Sequence, residues 1–206
     1  MKTTKRVFGV YAAWDYARET EDLNKQSDKG WHLMKGGLFS NTFKKNDSLR
    51  YRYQLDYNTN IEDMGRYIET FREQGWEYVN STWNGWHYFR KLYDPSLPAA
   101  EYEIYNDSES LREMQGRWKR AAIGLLVVLS INAIMQAVLL FRHFRLPNLL
   151  LLIALVFEGI VIAKGAHDMR TEKRADGHKR GINLMPLFLG ILAVILGLAV
   201  VLLFME

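Results

Sequence analysis

Histidines are the first residues to consider for chemistry, because they bind metals and transfer protons near neutral pH. His32 and His87 each follow a Gly-Trp pair, in segments with the residue pattern of strands. Neither has acidic residues or further histidines at the spacing of a zinc site, and the sequence contains no cysteine. We therefore predict that the chain holds no metal ion.

The remaining polar residues match no established catalytic or cofactor-binding pattern. The P-loop sequence is absent, and the Gly36-Gly37 pair lacks the flanking residues of a dinucleotide-binding turn. Serines and aspartates such as Ser27, Asp56 and Ser81 have no spacing that defines a catalytic triad. The sequence predicts a protein that is not an enzyme, with no catalytic residue and no cofactor.

A group of aromatic residues is the strongest candidate for a binding site. Ligand pockets are mostly apolar and aromatic, with a few polar groups. The same residues would also suit an ordinary core with cross-strand packing, and we keep both interpretations open. As a site, the group would bind an apolar ligand or a protein partner through Trp31, Trp76, Trp83, Trp86 and Tyr88.

The chain has two unlike halves. All six Trp and all eleven Tyr precede Ala121, and the rest is mostly Leu, Ile, Val, Ala and Gly. Residues 1–120 contain 19 Lys and Arg against 18 Asp and Glu, so the first half is almost neutral. Direct nucleic-acid binding would need a basic face and is not expected. We predict an α+β domain over residues 1–115 and a membrane domain over residues 116–206.

Three apolar runs lie in the second half, and a bilayer core needs about 20 helical residues. The predicted transmembrane helices cover residues 121–141, 147–163 and 184–204. The first and third runs hold 21 uncharged residues each. The middle run is shorter and is alternatively a re-entrant or interfacial segment. Pro147 suits a helix start, where its missing N–H is no loss.

The orientation follows from the Lys and Arg residues near the ends of these runs. Ten Lys and Arg residues lie either before the first run or between the second and third runs. Only two, Arg142 and Arg145, lie between the first and second runs. The start of the chain has no apolar run of about 7–15 residues, so we expect no cleavable signal peptide. These observations predict a multi-pass protein of the cell membrane, with the N-terminal domain in the cytoplasm and the C-terminus outside.

Three polar residues lie inside the predicted membrane helices. Asn132 and Gln136 share one face of the first helix, and Glu158 lies past the middle of the second. An intramembrane carboxylate is a functional candidate. The alternative is that these polar groups only hold the first two helices together. Small residues along the third helix, Gly190, Ala193 and Gly197, would let helices approach closely.

The first half contains a repeated pattern over residues 5–46 and 50–92. Each copy has an alternating aromatic segment, a helical stretch that ends at Gly-Trp, and two short strands. The glycines Gly30 and Gly75 are predicted to end the helices with positive φ, and Asn84-Gly85 predicts a hairpin turn. Two strand–helix–strand–strand units would give a six-stranded sheet with the helices on one face, an α+β fold in the style of ferredoxin-like and GyrI-like domains.

The segment after the repeats joins the two halves. Residues 101–105 have the pattern of a strand or extended piece, and residues 106–108 offer helix caps. A helix over residues 111–120 is predicted to continue into the first membrane helix. Trp118 is then expected at the membrane interface, where tryptophan is common.

These motifs resemble the DUF2812 family of Gram-positive bacteria. The resemblance rests on Gly30-Trp31, the strand over residues 53–57, the segment from Phe71 to Glu77, the aromatic and basic end near Phe89, and the segment over residues 105–110. It implies a bacterial membrane protein that is often found beside regulators of the PadR transcription-factor type. It implies no catalytic residue.

Two functions are consistent with the sequence. The preferred hypothesis is a non-enzymatic sensor or regulatory protein, whose cytoplasmic domain binds a protein partner or an apolar ligand. The alternative is a small membrane component that assists transport or envelope-stress defence through its transmembrane helices, with Glu158 as the main polar group. The partners expected are the lipid bilayer and a PadR-type regulator, and the oligomeric state is left open.

Overall fold

Two consecutive strand–helix–strand–strand repeats build the first 92 residues, as the sequence pattern predicts. The structure, a computed structural model, describes residues 3–105, 107–171 and 185–205. The first repeat contains β1 (Thr4–Phe8), α1 (Tyr16–Asp28), β2 (Trp31–Lys35) and β3 (Ser40–Lys45). The second contains β4 (Tyr51–Tyr57), α2 (Met64–Arg72), β5 (Glu77–Ser81) and β6 (Trp86–Leu92).

Each repeat forms its own antiparallel sheet of three strands, in the orders β1-β3-β2 and β4-β6-β5. The single six-stranded sheet expected from the sequence is therefore wrong. Where β2 ends beside β5, the side-chain amide of Asn80 makes both backbone hydrogen bonds of Gly36, at 2.7 Å and 3.0 Å. The register of β2 and of β5 also shifts near this place. The Asn80 side chain occupies the backbone N–H and carbonyl of Gly36, which a neighbouring strand would need for pairing. No β-ladder therefore joins the two sheets there.

The turn glycines adopt the conformations that the sequence indicates. Gly30 and Gly75 follow α1 and α2 with φ of 71° and 82°, and Gly85 has φ of 93° in the turn between β5 and β6. Other residues rarely adopt this left-handed region, because their Cβ collides with the backbone. These three glycines therefore fix where each helix stops and where the last hairpin turns.

The helices place one face on the sheets. Leu23 of α1 is buried. On α2, the residues Met64, Tyr67, Ile68 and Phe71 are half-buried and have the helical spacing of an amphipathic face. Beneath α2 lies a core cluster formed by Trp76, Phe89 and Ile104. Further aromatic rings pack around this cluster.

The segment after β6 agrees with its prediction only in part. Residues Ala99–Tyr102 form a short 3₁₀ turn and not a strand, whereas Glu103 has an extended backbone, with φ of −112° and ψ of 128°. Tyr102 Oη instead accepts from the Asp94 backbone N–H and donates to the Asp94 carbonyl, which folds the segment back on itself. Asp107 then caps the next helix, because its Oδ1 accepts from the backbone N–H groups of Glu109 and Ser110 at 2.8 Å and 2.7 Å. Asn106, the other expected cap, lies outside the described residues.

Helix α3 (Ser108–Arg142) is continuous, as predicted for a helix that leads into the first apolar run. The chain divides into an N-terminal unit, Met1–Trp118, and a C-terminal unit, Lys119–Glu206, and the first turns of α3 belong to the former. Trp118 is buried there, edge to face with Trp14 at 5.8 Å between ring centres. It lies one turn after the fully buried Met114 and so shares its inward face. The ring therefore packs inside the N-terminal unit, and its position at a membrane interface stays a prediction.

The C-terminal unit contains the rest of α3, followed by α4 (Leu146–Thr171) and α5 (Met185–Met205), and α4 lies against α5. Among the described residues, two helices are long and apolar enough to cross a membrane, within Ser108–Arg142 and Leu146–Asp168. The most apolar 18-residue stretch of each helix is 0% buried in the first and 11% buried in the second. Pro147 lies in the first turn of α4, as expected for a residue at a helix start. The shorter apolar stretch Leu189–Leu198 lies in α5, so a third crossing stays a prediction.

Candidate functional site

A small pocket lies in the N-terminal unit, where the first repeat meets the second. Residues before and within α1 form one wall, the β2–β3 connection forms another, and β6 with its hairpin turn closes the third. The pocket has a volume of about 30 Å³, which is enough to hold water, since one molecule needs roughly 10–15 Å³. The side chains that define it are Tyr11, Tyr16, Glu19, Trp86 and Tyr88. We call it the Glu19 pocket.

Glu19 is the one acidic residue among those that line this pocket, and it is 6% exposed. Its Oε1 accepts hydrogen bonds from Tyr88 Oη at 2.8 Å and from Asn41 Nδ2 at 3.4 Å. In the described part of the chain, no hydrogen bond falls on Oε2, and no Lys or Arg forms an ion pair with this carboxylate. When Glu19 is ionised, no cationic side chain among the described residues therefore pairs with its charge.

Burial raises the pKa of the Glu19 carboxyl to about 7, and the nearby carboxylate of Asp22 acts in the same direction. The hydrogen bonds from Tyr88 and Asn41 act in the opposite direction and are outweighed. Burial and the charge of Glu19 in turn raise the pKa of Tyr88, so this phenol stays protonated. At neutral pH the pocket is thus close to the point where Glu19 gains or loses its proton.

Aromatic rings form the apolar part of the wall. Tyr16 stacks on Trp86 with 5.7 Å between ring centres and 19° between planes, and Tyr57 also contacts Trp86, with 5.2 Å between ring centres and 57° between planes. Tyr11 turns its hydroxyl away to donate to Asp22 Oδ2 at 3.0 Å. Aromatic faces around a carboxylate attract a cation or an apolar group and repel an anion.

Gly36 lets Tyr88 reach across to Glu19. A Cβ on Gly36 would lie 2.6–2.8 Å from the ring carbons of Tyr88, which is closer than real contacts allow. Because Gly36, directly after β2, has no side chain, β6 can place the phenol of Tyr88 beside α1. The hydrogen bond that results joins residues 69 apart in the sequence.

The structure brings together two of the five aromatic residues that the sequence singles out, Trp86 and Tyr88. Trp76 is 2% exposed in the core cluster with Phe89, so it serves packing. Trp31 lies half-buried on β2, with the ammonium groups of Lys5 and Lys45 over its ring. Trp83 is 88% exposed at the hairpin turn.

Sequence reasoning missed Glu19, Tyr11 and Tyr16. Glu19 lies four residues before the buried Leu23, which in turn lies four before the buried Ser27. This spacing puts all three on the inward face of α1. The acidic residue on that face was a signal in the sequence for a candidate site. Carboxylates that are buried without a paired cation are uncommon, because they cost stability.

The histidines hold loops in place. His32 Nε2 lies 2.7 Å from the carbonyl of Asn46, and His87 Nε2 lies 2.9 Å from the carbonyl of Asn58. His32 Nδ1 lies 3.4 Å from Ser27 Oγ, and both residues are buried. Ser27 Oγ also accepts a hydrogen bond from the Tyr51 backbone N–H, so this contact is part of the packed interior. Within residues 3–105, 107–171 and 185–205, no group of three or more metal-binding side chains occurs.

A second buried carboxylate, Asp56 on β4, has a full set of donors. Tyr67 Oη donates at 2.6 Å, Arg117 Nη2 at 2.9 Å, and Tyr105 Oη also donates to it. Arg117 Nε donates in addition to the Tyr57 carbonyl at 2.8 Å. This cluster ties the start of α3 to the second sheet within the N-terminal unit, so its main effect is on stability.

The polar residues of the apolar helices have different surroundings. Asn132 Nδ2 donates to the Val128 carbonyl one turn earlier, at 2.8 Å. Gln136 Oε1 is buried and has no hydrogen-bond partner among the described residues. Glu158 of α4 is half-buried. The three residues are therefore not equivalent, because the amide of Asn132 already bonds within its own helix.

The fold and the pocket define a class: a protein with an N-terminal α+β unit that holds a small acidic and aromatic pocket, followed by helices of which two could cross a membrane. Residues 15–127, more than half of the chain, match the DUF2812 family, whose description is "protein of unknown function". The chain belongs to this family, which confirms the resemblance seen in its motifs. No curated protein and no solved structure matches the chain.

Proposed function

We propose that the chain is a membrane-anchored, non-enzymatic sensor or regulatory protein of the cell membrane, whose N-terminal unit binds an apolar ligand or a protein partner in the cytoplasm. The observation that carries this proposal is the single helix α3. Its first turns are held in the N-terminal unit by Met114, Arg117 and Trp118, and its later turns expose apolar side chains. A binding event in the N-terminal unit would act on a helix that leads into a candidate membrane span.

The distribution of charge supports the orientation. Arg112, Lys119 and Arg120 are exposed basic residues of α3 before its apolar stretch, as expected on the cytoplasmic side of a membrane. The basic residues 173–180 that also enter this argument lie outside the described residues. We propose three membrane helices, with α5 as the third and the C-terminus outside the cell.

The hairpin between β5 and β6 is the surface that best fits a protein partner. Trp83 is 88% exposed at its turn, and Thr82 and Asn84 on either side line the Glu19 pocket. Exposed tryptophans often dominate the binding energy of an interface, because they bury a large apolar area with few rotatable bonds. A PadR-type regulator, implied by the family, is the partner we propose.

Co-purification from mild detergent tests this function. We expect the full chain to retain a PadR-type regulator expressed with it, and Trp83→Ala to lower the retained amount about tenfold or more, as for an interface hot spot. The matched control is Phe8→Ala, which removes an aromatic ring of similar exposure, 77%, from another part of the N-terminal unit. Equal retention by wild type and Trp83→Ala would contradict the role of the hairpin.

A role in transport or envelope-stress defence is the second candidate. The buried and unbonded Gln136 Oε1 favours it, because a polar atom without a partner in an apolar helix suits a binding or conduction path. Glu158→Gln separates the two functions: it leaves regulator binding unchanged under the first and abolishes activity under the second. Loss of the transport or defence activity in Glu158→Gln, with that activity unaffected in Trp83→Ala, would reverse our order of preference.

A further inference from the structure

We propose that the Glu19 pocket binds the ammonium head of a small primary amine, with the carboxylate of Glu19 as the counter-ion. This inference rests on the proposed ligand-binding function and names the chemical class of the ligand. It starts from the state of Glu19, which is 6% exposed and has no cationic partner among the described residues. A buried carboxylate of this kind is costly unless a cation pairs with it.

The shape of the site selects the kind of cation. The volume of about 30 Å³ exceeds the roughly 10–15 Å³ that one water molecule needs, so an ammonium group, which is about the size of a water molecule, fits in it. A drug-sized ligand needs roughly 300 Å³ or more and does not fit this space. A quaternary ammonium group is larger by its alkyl substituents. The pocket thus favours a primary amine with its alkyl chain outside the enclosed part.

The hydrogen bonds of the pocket leave room for such a donor. Tyr88 and Asn41 both donate to Oε1 of Glu19, and no hydrogen bond within the described residues falls on Oε2. A primary ammonium group has three N–H donors and no acceptor, so it complements a carboxylate oxygen. The stacked rings of Tyr16 and Trp86 add an aromatic wall, and aromatic rings attract cations.

The charged state of the pocket makes binding depend on pH. The titratable groups that face Glu19 are Asp22 on α1, Tyr11 before it and Tyr88 on β6, and Tyr11 and Tyr88 have raised pKa values and stay neutral. Because the pKa of Glu19 is about 7, the ionised fraction rises about tenfold between pH 6 and pH 8. The affinity for a primary alkylammonium ion, which stays charged over this pH range, should rise by the same factor.

Calorimetric titration of the full chain in lipid nanodiscs tests the proposal, with propylammonium as the probe and propan-1-ol as its neutral match. We expect propylammonium to bind wild type about tenfold more tightly at pH 8 than at pH 6, and propan-1-ol and tetramethylammonium to bind at least tenfold more weakly at pH 8. Glu19→Gln should lose binding of propylammonium. Glu21→Gln, an exposed glutamate on the same helix, should keep it.

The possible results are distinct. Equal affinity for propylammonium and propan-1-ol, without dependence on pH, overturns the amine inference and leaves the proposed ligand-binding function standing. Binding of propylammonium that persists in Glu19→Gln also overturns the inference. If neither probe binds wild type, the inference fails, and the regulator co-purification decides the proposed function separately. The pH series on wild type needs no variant, so misfolding of Glu19→Gln cannot hide the answer.

Discussion

Replacement of Arg117 by methionine is expected to destabilise the N-terminal unit by about 3 kcal/mol, which is the usual scale for removal of one partner from a buried ion pair. The side chain of Asp56 is 3% exposed and keeps only the hydroxyl groups of Tyr67 and Tyr105 as donors in this variant. The backbone carbonyl of Tyr57 also loses its bond from Arg117. Thermal unfolding of the full chain in detergent, followed by near-ultraviolet circular dichroism, measures the change as a lower Tm.

Two further variants isolate the ion pair from the packing of α3. Arg112→Met changes an exposed arginine on the same helix and should alter stability by less than about 0.5 kcal/mol. The double variant Arg117→Met with Asp56→Asn removes both charges and should recover part of the loss, since no unpaired buried charge is left. A Tm for Arg117→Met within 1 °C of wild type (roughly 0.25 kcal/mol) would show that the cluster does not hold α3 to the second sheet.

Glu19→Gln is expected to stabilise the protein at pH 8, by about 2–3 kcal/mol, and to leave it almost unchanged at pH 5. The folded-state pKa of Glu19 is raised from 4.5 to about 7 by burial, so between these values the folded chain holds a proton that the unfolded chain has released. The contribution of the protonated carboxyl is therefore present at low pH and is lost as the pH rises through 7. Glutamine stays neutral, and its side-chain oxygen can still accept the hydrogen bond from Tyr88. The stability of the Glu19→Gln variant therefore does not fall as the pH rises through 7.

The measurement is the free energy of unfolding of both proteins at pH 5, 6, 7 and 8, with no amine in the buffer. Glu21→Gln is the matched control, because Glu21 is exposed and pairs with Lys25 at the surface, where a salt bridge contributes less than about 1 kcal/mol. Its curve should stay parallel to that of wild type. Parallel curves for wild type and Glu19→Gln would mean that Glu19 is ionised with an ordinary pKa, and the amine proposal would lose its physical basis.

Local sequence signals predicted much of the fold. Gly30 and Gly75 end helices because left-handed φ is accessible to glycine, and the period of Tyr67 and Phe71 fixes the inward face of α2. The repeat itself was visible because both copies place Gly-Trp after the helix. These features depend on residues a few positions apart, which is the range in which periodicity and turn chemistry act.

Features that depend on distant residues were not predicted. The separation into two sheets follows from Asn80 bonding to Gly36, and nothing near either residue in the sequence indicates the other. The Glu19 pocket likewise depends on Tyr88 crossing the space above Gly36. Trp118 looked like a membrane-interface residue because it precedes an apolar run, and the sequence did not indicate that tertiary packing against Trp14 buries it.

Membrane extraction of the full-length chain tests the central claim most directly, namely that α3 anchors the N-terminal unit in a bilayer. The chain should remain in the membrane pellet after washes with high salt and alkaline carbonate, and only detergent should release it. The most apolar stretches of α3 and α4 are 0% and 11% buried, so the account expects lipid to cover them. A full-length chain that is monomeric and soluble without detergent would contradict the account.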